Sequence, residues 1–283
     1  MNQTKPLSIT FVTGPASAGF AETLMDHMTR SITTDQLFII SSHAYSEMQT
    51  ILTSRHLPCR LLTRQQIPGW IAQKAGIEET DEADEHSRIR ILEEILADPD
   101  MDFQFLSYSD HPETAARDLG TLIGRLQKSG VGPEQLREIL KRKFVSSASK
   151  ARFHDLLTVL EAYLAVLRKQ GRLSREDFAL DMAGILTRLN LNTGSVFTGV
   201  LDDYDYVTRK LLAAILLKAD TVYAALPQMP PGREKQANAH YRRAAAFYRD
   251  LVREIRIAAD RPVNIQYIPA QETTRPSALD ALS

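Results

Sequence analysis

Apolar positions along this chain follow two different periods. Ser8-Ile9-Thr10-Phe11-Val12-Thr13 is a β-branched run ending at Gly14, and Leu37-Phe38-Ile39-Ile40 is a continuous apolar run. Unbroken runs of this length belong to strands buried on both faces of a parallel sheet. Residues 59–63 read as a third short strand, while residues 21–32 and 44–56 carry helical spacing. The alternation predicts a βαβ core.

From about residue 82 to residue 189 the period becomes helical. Ile89, Leu92, Ile95 and Leu96 share one face, as do Ala116, Leu119, Leu122, Ile123 and Leu126. A break at Gly130-Val131-Gly132-Pro133 places Pro133 at a first helical position. Phe153, Leu156, Leu157, Leu160, Tyr163, Leu164 and Leu167 then form a long stripe ending near Gly171, and Ser174 to Asp177 has the Ser-x-x-acid form of a helix start. Strand character returns at residues 195–201, 221–226 and 263–268, with helices at 207–217 and 237–259. These segments predict an α/β domain from residues 1–80 and 190–270, an inserted helical subdomain at 81–189, and a polar tail or link at 271–283.

Composition narrows the class without naming a chemistry. The chain of 283 residues is 43% hydrophobic and 24% charged, which excludes a disordered or collagen-like chain. Cys59 is the single cysteine, so neither an internal disulfide nor a four-cysteine zinc site can form, and a reducing, cytoplasmic setting is expected. Residues 1–14 lack the apolar core of a signal peptide, and the longest apolar run, 211–217, has seven residues where a bilayer span needs roughly 18. No membrane association is expected.

The net charge of -1 conceals segregation. Residues 78–102 hold eleven acids against Arg88 and Arg90, a local charge of -9. Residues 128–155 and 229–261 each carry +4. Any attraction for nucleic acid must therefore come from local patches.

The loop Gly14-Pro15-Ala16-Ser17-Ala18-Gly19-Phe20-Ala21 follows the first strand and precedes a helix, where backbone N–H groups can hold phosphates. Gly14 and Gly19 have the spacing of a P-loop, and they equally suit a plain βα turn. The cation that faces the terminal phosphates and the hydroxyl that holds magnesium should follow, but Phe20 and Ala21 occupy those places. The acidic Asp202-Asp203-Tyr204-Asp205 could gather oxygen ligands for a metal or simply begin the next helix. The seven histidines are scattered, with no His-x-x-x-His pair, and no serine-hydrolase elbow stands beside a plausible His and acid. Trp70 is either core or a base-stacking group.

The order of these features resembles the N-terminal helicase-like region of AddB/RexB subunits of bacterial ATP-dependent helicase-nucleases of the RecBCD class. The resemblance runs through Leu37-Phe38-Ile39-Ile40-Ser41-Ser42, Leu61-Leu62-Thr63, Leu126 to Leu136, Leu160 to Leu167, Asp177, Val196 to Leu212 and the helix near Tyr241. It implies a RecA-like P-loop parallel sheet flanked by helices, with an all-helical subdomain inserted. In the family's loop, Gly-x-Ala-Gly-Ser-Gly-Lys-Thr, Gly14, Ala16 and Gly19 match, while Ser17, Ala18, Phe20 and Ala21 depart. The family's metal-binding aspartate falls on Gly199 and its helicase glutamine on Thr208.

The resemblance thus implies a vestigial phosphate site, with no catalytic residue and no metal in this segment. It implies action on double-stranded DNA ends or single-stranded DNA in recombinational repair, beside an AddA-type helicase-nuclease subunit. It also implies a longer protein, since residues 275–283 resemble the family's link to its next region. Thr63 and Arg64, just past a strand, and Lys141, Arg142 and Lys143 are the candidate DNA contacts. Two other expectations compete. One is an atypical P-loop ATPase binding ATP and magnesium, with Lys5 or a partner's arginine in place of the lost lysine. The other is an interaction module without a DNA role.

Overall fold

The computed structural model describes residues 5–15, 19–30, 36–77, 83–104, 106, 112–142, 146–201, 203–228 and 239–270. In chain order its elements are β1 (Leu7–Gly14), α1 (Phe20–Arg30), β2 (Gln36–Ile40), α2 (Tyr45–Ser54), β3 (Arg60–Thr63), a 3-10 turn (Arg64–Gln66) and α3 (Ile67–Ala75). There follow α4 (Glu85–Ala97), α5 (Pro112–Lys128), α6 (Pro133–Leu140), α7 (Ser147–Lys169) and α8 (Arg175–Arg188). The chain then forms β4 (Ser195–Thr198), α9 (Tyr206–Leu217), β5 (Thr221–Pro227), α10 (Ala239–Ala258) and β6 (Val263–Pro269).

Two compact units result: Met1–Ile71 with Ala183–Tyr204 and Thr208–Ser283, and Ala72–Met182 with Asp205–Val207. The first holds a six-stranded sheet of order β3-β2-β4-β5-β1-β6 in which every pairing is parallel. This is an α/β sheet flanked by helices, in keeping with a RecA-like fold. All five residues of β2 are buried, as its unbroken apolar run requires of a strand covered on both faces. Val12, Phe38, Ile40, Phe197 and Ala225 pack with Phe20, Leu24, Met25 and Met28 of α1 and Met48 and Leu52 of α2. On the opposite face Phe11 meets Tyr248 of α10 edge-on, with ring centroids 5.6 Å apart. Arg209 of α9 bonds Glu254 and Asp250 of α10 at 3.1 and 3.4 Å, holding these two helices together.

The strand order fixes where a ligand can enter. From the adjacent strands β2 and β4, the chain leaves in opposite directions, through α2 to β3 and through α9 to β5. A crevice opens at the carboxyl ends of such a pair.

The second unit is helical. Ile91, Leu92, Ile95, Ala116, Ile123, Leu136, Val159, Leu160, Tyr163 and Leu167 form its core. Its helices start where capping side chains allow: Asp84 accepts from the Ser87 N–H at 2.7 Å and Ser146 from the Ser149 N–H at 3.2 Å. Ser174 accepts from the Asp177 N–H at 3.1 Å, the start expected of a Ser-x-x-acid sequence. Pro133 opens α6, and Gly171 (φ +68°) follows the end of α7. Arg88 is buried inside this unit, 3.7 Å from Glu176, and it donates to the Gly120 carbonyl at 3.4 Å. Among the described residues, no helix is long and apolar enough to cross a membrane.

Candidate functional site: the carboxyl edge of the sheet

The glycine loop lies at the carboxyl end of β1. The Gly14 carbonyl accepts from the Gln228 N–H at 2.7 Å, which binds the start of the loop to the end of β5. Gly19 is buried, and its carbonyl accepts both the Thr23 N–H at 3.0 Å and the Thr23 hydroxyl at 2.9 Å. Ala16, Ser17 and Ala18 lie outside the described residues.

Phe20 opens α1 and is only 6% exposed, packed in the cluster formed by Val12, Leu24, Phe38 and Phe197. The position from which a P-loop lysine would reach phosphate is thus held by a side chain committed to the core. Ala21 packs against the same cluster. What remains at this end of α1 is the partial positive charge of a helix N-terminus, without a neighbouring cation or metal-binding hydroxyl at positions 20 and 21. Lys5 precedes β1 at the amino edge, and roughly 30 Å of extended chain separates it from Gly14, several times the reach of a lysine. It does not substitute for the missing lysine.

The strand-end position expected to carry an aspartate is tightly packed. The Gly199 N–H donates to Ile39 at 2.8 Å, extending the β2–β4 ladder by one residue. A Cβ built on Gly199 would lie 3.2 Å from Ile40 Cγ1 and 3.5 Å from Phe38 Cε1. Beyond it, Arg64 Nη1 pairs with Asp203 Oδ2 at 3.2 Å. Together with Ser41, Ser42, Leu201 and Thr208 they line a cavity of about 30 Å³ at the β2–β4 switch point. That space is the size of a single water molecule. Asp203 is thus paired with an arginine at this edge, and Asp202 lies outside the described residues.

The candidate DNA contacts separate into different settings. The Thr63 N–H donates to Gln66 Oε1 at 2.9 Å, shaping the 3-10 turn that carries Arg64 to the edge just described. Lys141 and Arg142 are exposed at the end of α6 in the helical unit, with Lys141 Nζ 2.7 Å from Glu138 Oε1. Lys143 lies outside the described residues. Trp70 is buried, so core packing accounts for it and base stacking does not. Sequence reading missed the Arg64–Asp203 pair because its members lie 139 positions apart. It also missed Ser41 and Ser42 as lining residues, for which only their place after a buried strand gave a signal. No protein-family model matches the chain, and no curated protein shows significant similarity to it.

Proposed function

We propose that this chain is an inactive, helicase-like scaffold of the AddB type. It acts in the cytoplasm on DNA ends in recombinational repair, beside an AddA-type helicase-nuclease subunit that supplies the catalysis. The observation that supports the reading is that Phe20 and Gly199, at the two positions an ATP motor needs, are packed among core side chains of a parallel α/β sheet consistent with a RecA-like fold. Phe20 is sunk in the core beneath α1, and Gly199 is enclosed by Ile40 and Phe38. A phosphate loop with Phe20 and Ala21 in place of the cation and the hydroxyl, and a strand end with glycine in place of the metal-binding carboxylate, keep the shape of a motor while losing groups that nucleotide turnover uses. Such a domain serves by holding DNA and its partner in place.

The test is titration of the purified protein with a labelled ATP analogue and magnesium, alone and with DNA. No binding is expected at millimolar nucleotide. DNA-stimulated ATP turnover that disappears when Gly19 is replaced by a bulky residue would overturn the reading.

A further inference from the structure

The +4 segment at residues 229–261 has no place in the site above, yet α10 displays part of it on one face. Arg249, Arg253 and Arg256 lie along one wall of an open cleft of about 780 Å³ between α10 and the sheet. They cover about 10 Å of helix, and all three are exposed. The acids of the same helix are occupied elsewhere. Glu254 bonds Arg209 and Lys210 of α9, each at 3.1 Å, and Asp250 bonds Arg209 at 3.4 Å. Asp250 also stands 3.7 Å from Arg249, the one arginine of the three with an acid beside it among the described residues. The cleft wall is therefore cationic.

Its floor is aromatic. Phe11 and Tyr267 are register partners on β1 and β6, and their rings stack with centroids 5.4 Å apart at 23°. Phe11 is buried, but Tyr267 is 61% exposed, because β6 is the edge strand and no described strand lies beyond it. The Tyr267 ring thus stacks on Phe11 while most of the residue faces solvent. Ile257, 76% exposed, stands at the same cleft. Tyr267 and Ile257 together set a small water-facing apolar surface beside the row of arginines. A guest that answers both features carries regularly spaced negative charge and flat apolar rings.

We infer that the cleft between α10 and β6 binds a single strand of nucleic acid, its phosphates against Arg249, Arg253 and Arg256 and a base stacked on Tyr267. A cationic groove with an exposed ring is the arrangement that holds single strands without reading sequence. An acidic peptide would satisfy the arginines but leave the exposed ring unexplained. The volume lies within the range of about 300–1,000 Å³ typical of ligand sites. The inference rests on the proposed function only for choosing DNA as the strand.

The test measures fluorescence anisotropy of labelled oligothymidylate at low salt, using the full chain and variants whose far-UV circular dichroism is unchanged. Tyr267→Ala is expected to weaken binding roughly ten-fold and Tyr267→Phe to retain it, as loss of one stacked base predicts. Arg253→Gln with Arg256→Gln should weaken it at least as much, and polyglutamate should compete poorly. Wild-type affinity in both the Ala and the double Gln variants would overturn the inference. So would equal competition by polyglutamate, which would make the cleft an acidic-peptide site. If Arg142→Ala abolishes binding while the cleft variants do not, the cleft assignment falls and the DNA-scaffold reading stands. Absence of oligonucleotide binding also overturns the inference, and the nucleotide titration above then decides the inactive-motor reading separately.

Discussion

A lysine at position 20 would have to leave the packing that Phe20 makes with Val12, Leu24 and Phe38. Phe20→Lys should therefore lower unfolding stability by about 3 kcal/mol, the scale of losing a buried aromatic ring, as measured by urea denaturation. Gly199→Asp would press a Cβ against Ile40 and bury a carboxylate there, costing about 2–3 kcal/mol on the same assay. Joining these changes with Ala21→Thr should give an unstable protein without ATP turnover; recovery of turnover would show that the site kept its form. His27 stacks on Tyr223 at 4.5 Å, and burial, followed by the nearby Arg30, holds its pKa below the usual 6.5. Its folded pKa is lowered, so the stability it contributes is present above pH 6.5 and lost as pH falls through the folded value. An NMR titration should place the His27 midpoint below that of an unfolded-state histidine, and His27→Gln should flatten the loss of stability over that interval. Burial pushes the Cys59 thiol up to about 12. The thiolate is therefore scarce near neutral pH, and a thiol reagent should react more slowly with the native protein than in denaturant.

At the scale of elements, the six strands were legible as short apolar or alternating runs and α1, α2, α9 and α10 as regular stripes, whereas α3, with Pro68 and Gly69 in its first turn, was not. The pairings that build the site were not. Arg64 and Asp203 come from elements far apart in sequence, and nothing local to either marks the other. The cleft was hidden differently: Arg249, Arg253 and Arg256 counted only as positive charge until β6 was placed at the sheet edge with Tyr267 beneath them. Gly124 shows the same limit inside the helical unit. In sequence it is a weak residue within a helix, yet a Cβ there would lie 2.7 Å from Arg88 Nη1. The glycine makes room for a guanidinium that is 6% exposed and stands beside Glu176 and the Tyr163 hydroxyl. Gly124→Ala should consequently destabilise the protein in thermal melts despite alanine's advantage of about 1 kcal/mol in a helix. Glu176→Gln should cost about 3 kcal/mol by leaving the arginine without its buried counter-charge, and Arg88→Met should recover part of that loss in the double variant.

For the whole molecule, a net charge of -1 gives no general attraction for a polyanion, and the acids of residues 78–102 repel one. Binding to a single strand must then come from the few cations that contact phosphate, and its salt dependence counts them. Each phosphate neutralised on a single strand contributes a slope of about -0.7 in log affinity against log salt, so three arginines give about -2. Arg253→Gln should reduce the magnitude by about 0.7, while Tyr267→Ala should lower affinity and leave the slope unchanged, because a stacked base releases no counterions. Arg142→Ala, which removes a cation outside the cleft, should leave that slope unchanged. The slope therefore tests the cleft arginines by themselves. A slope near zero with measurable affinity would mean that these cations do not touch phosphate, and would exclude the arginine row as the basis of binding.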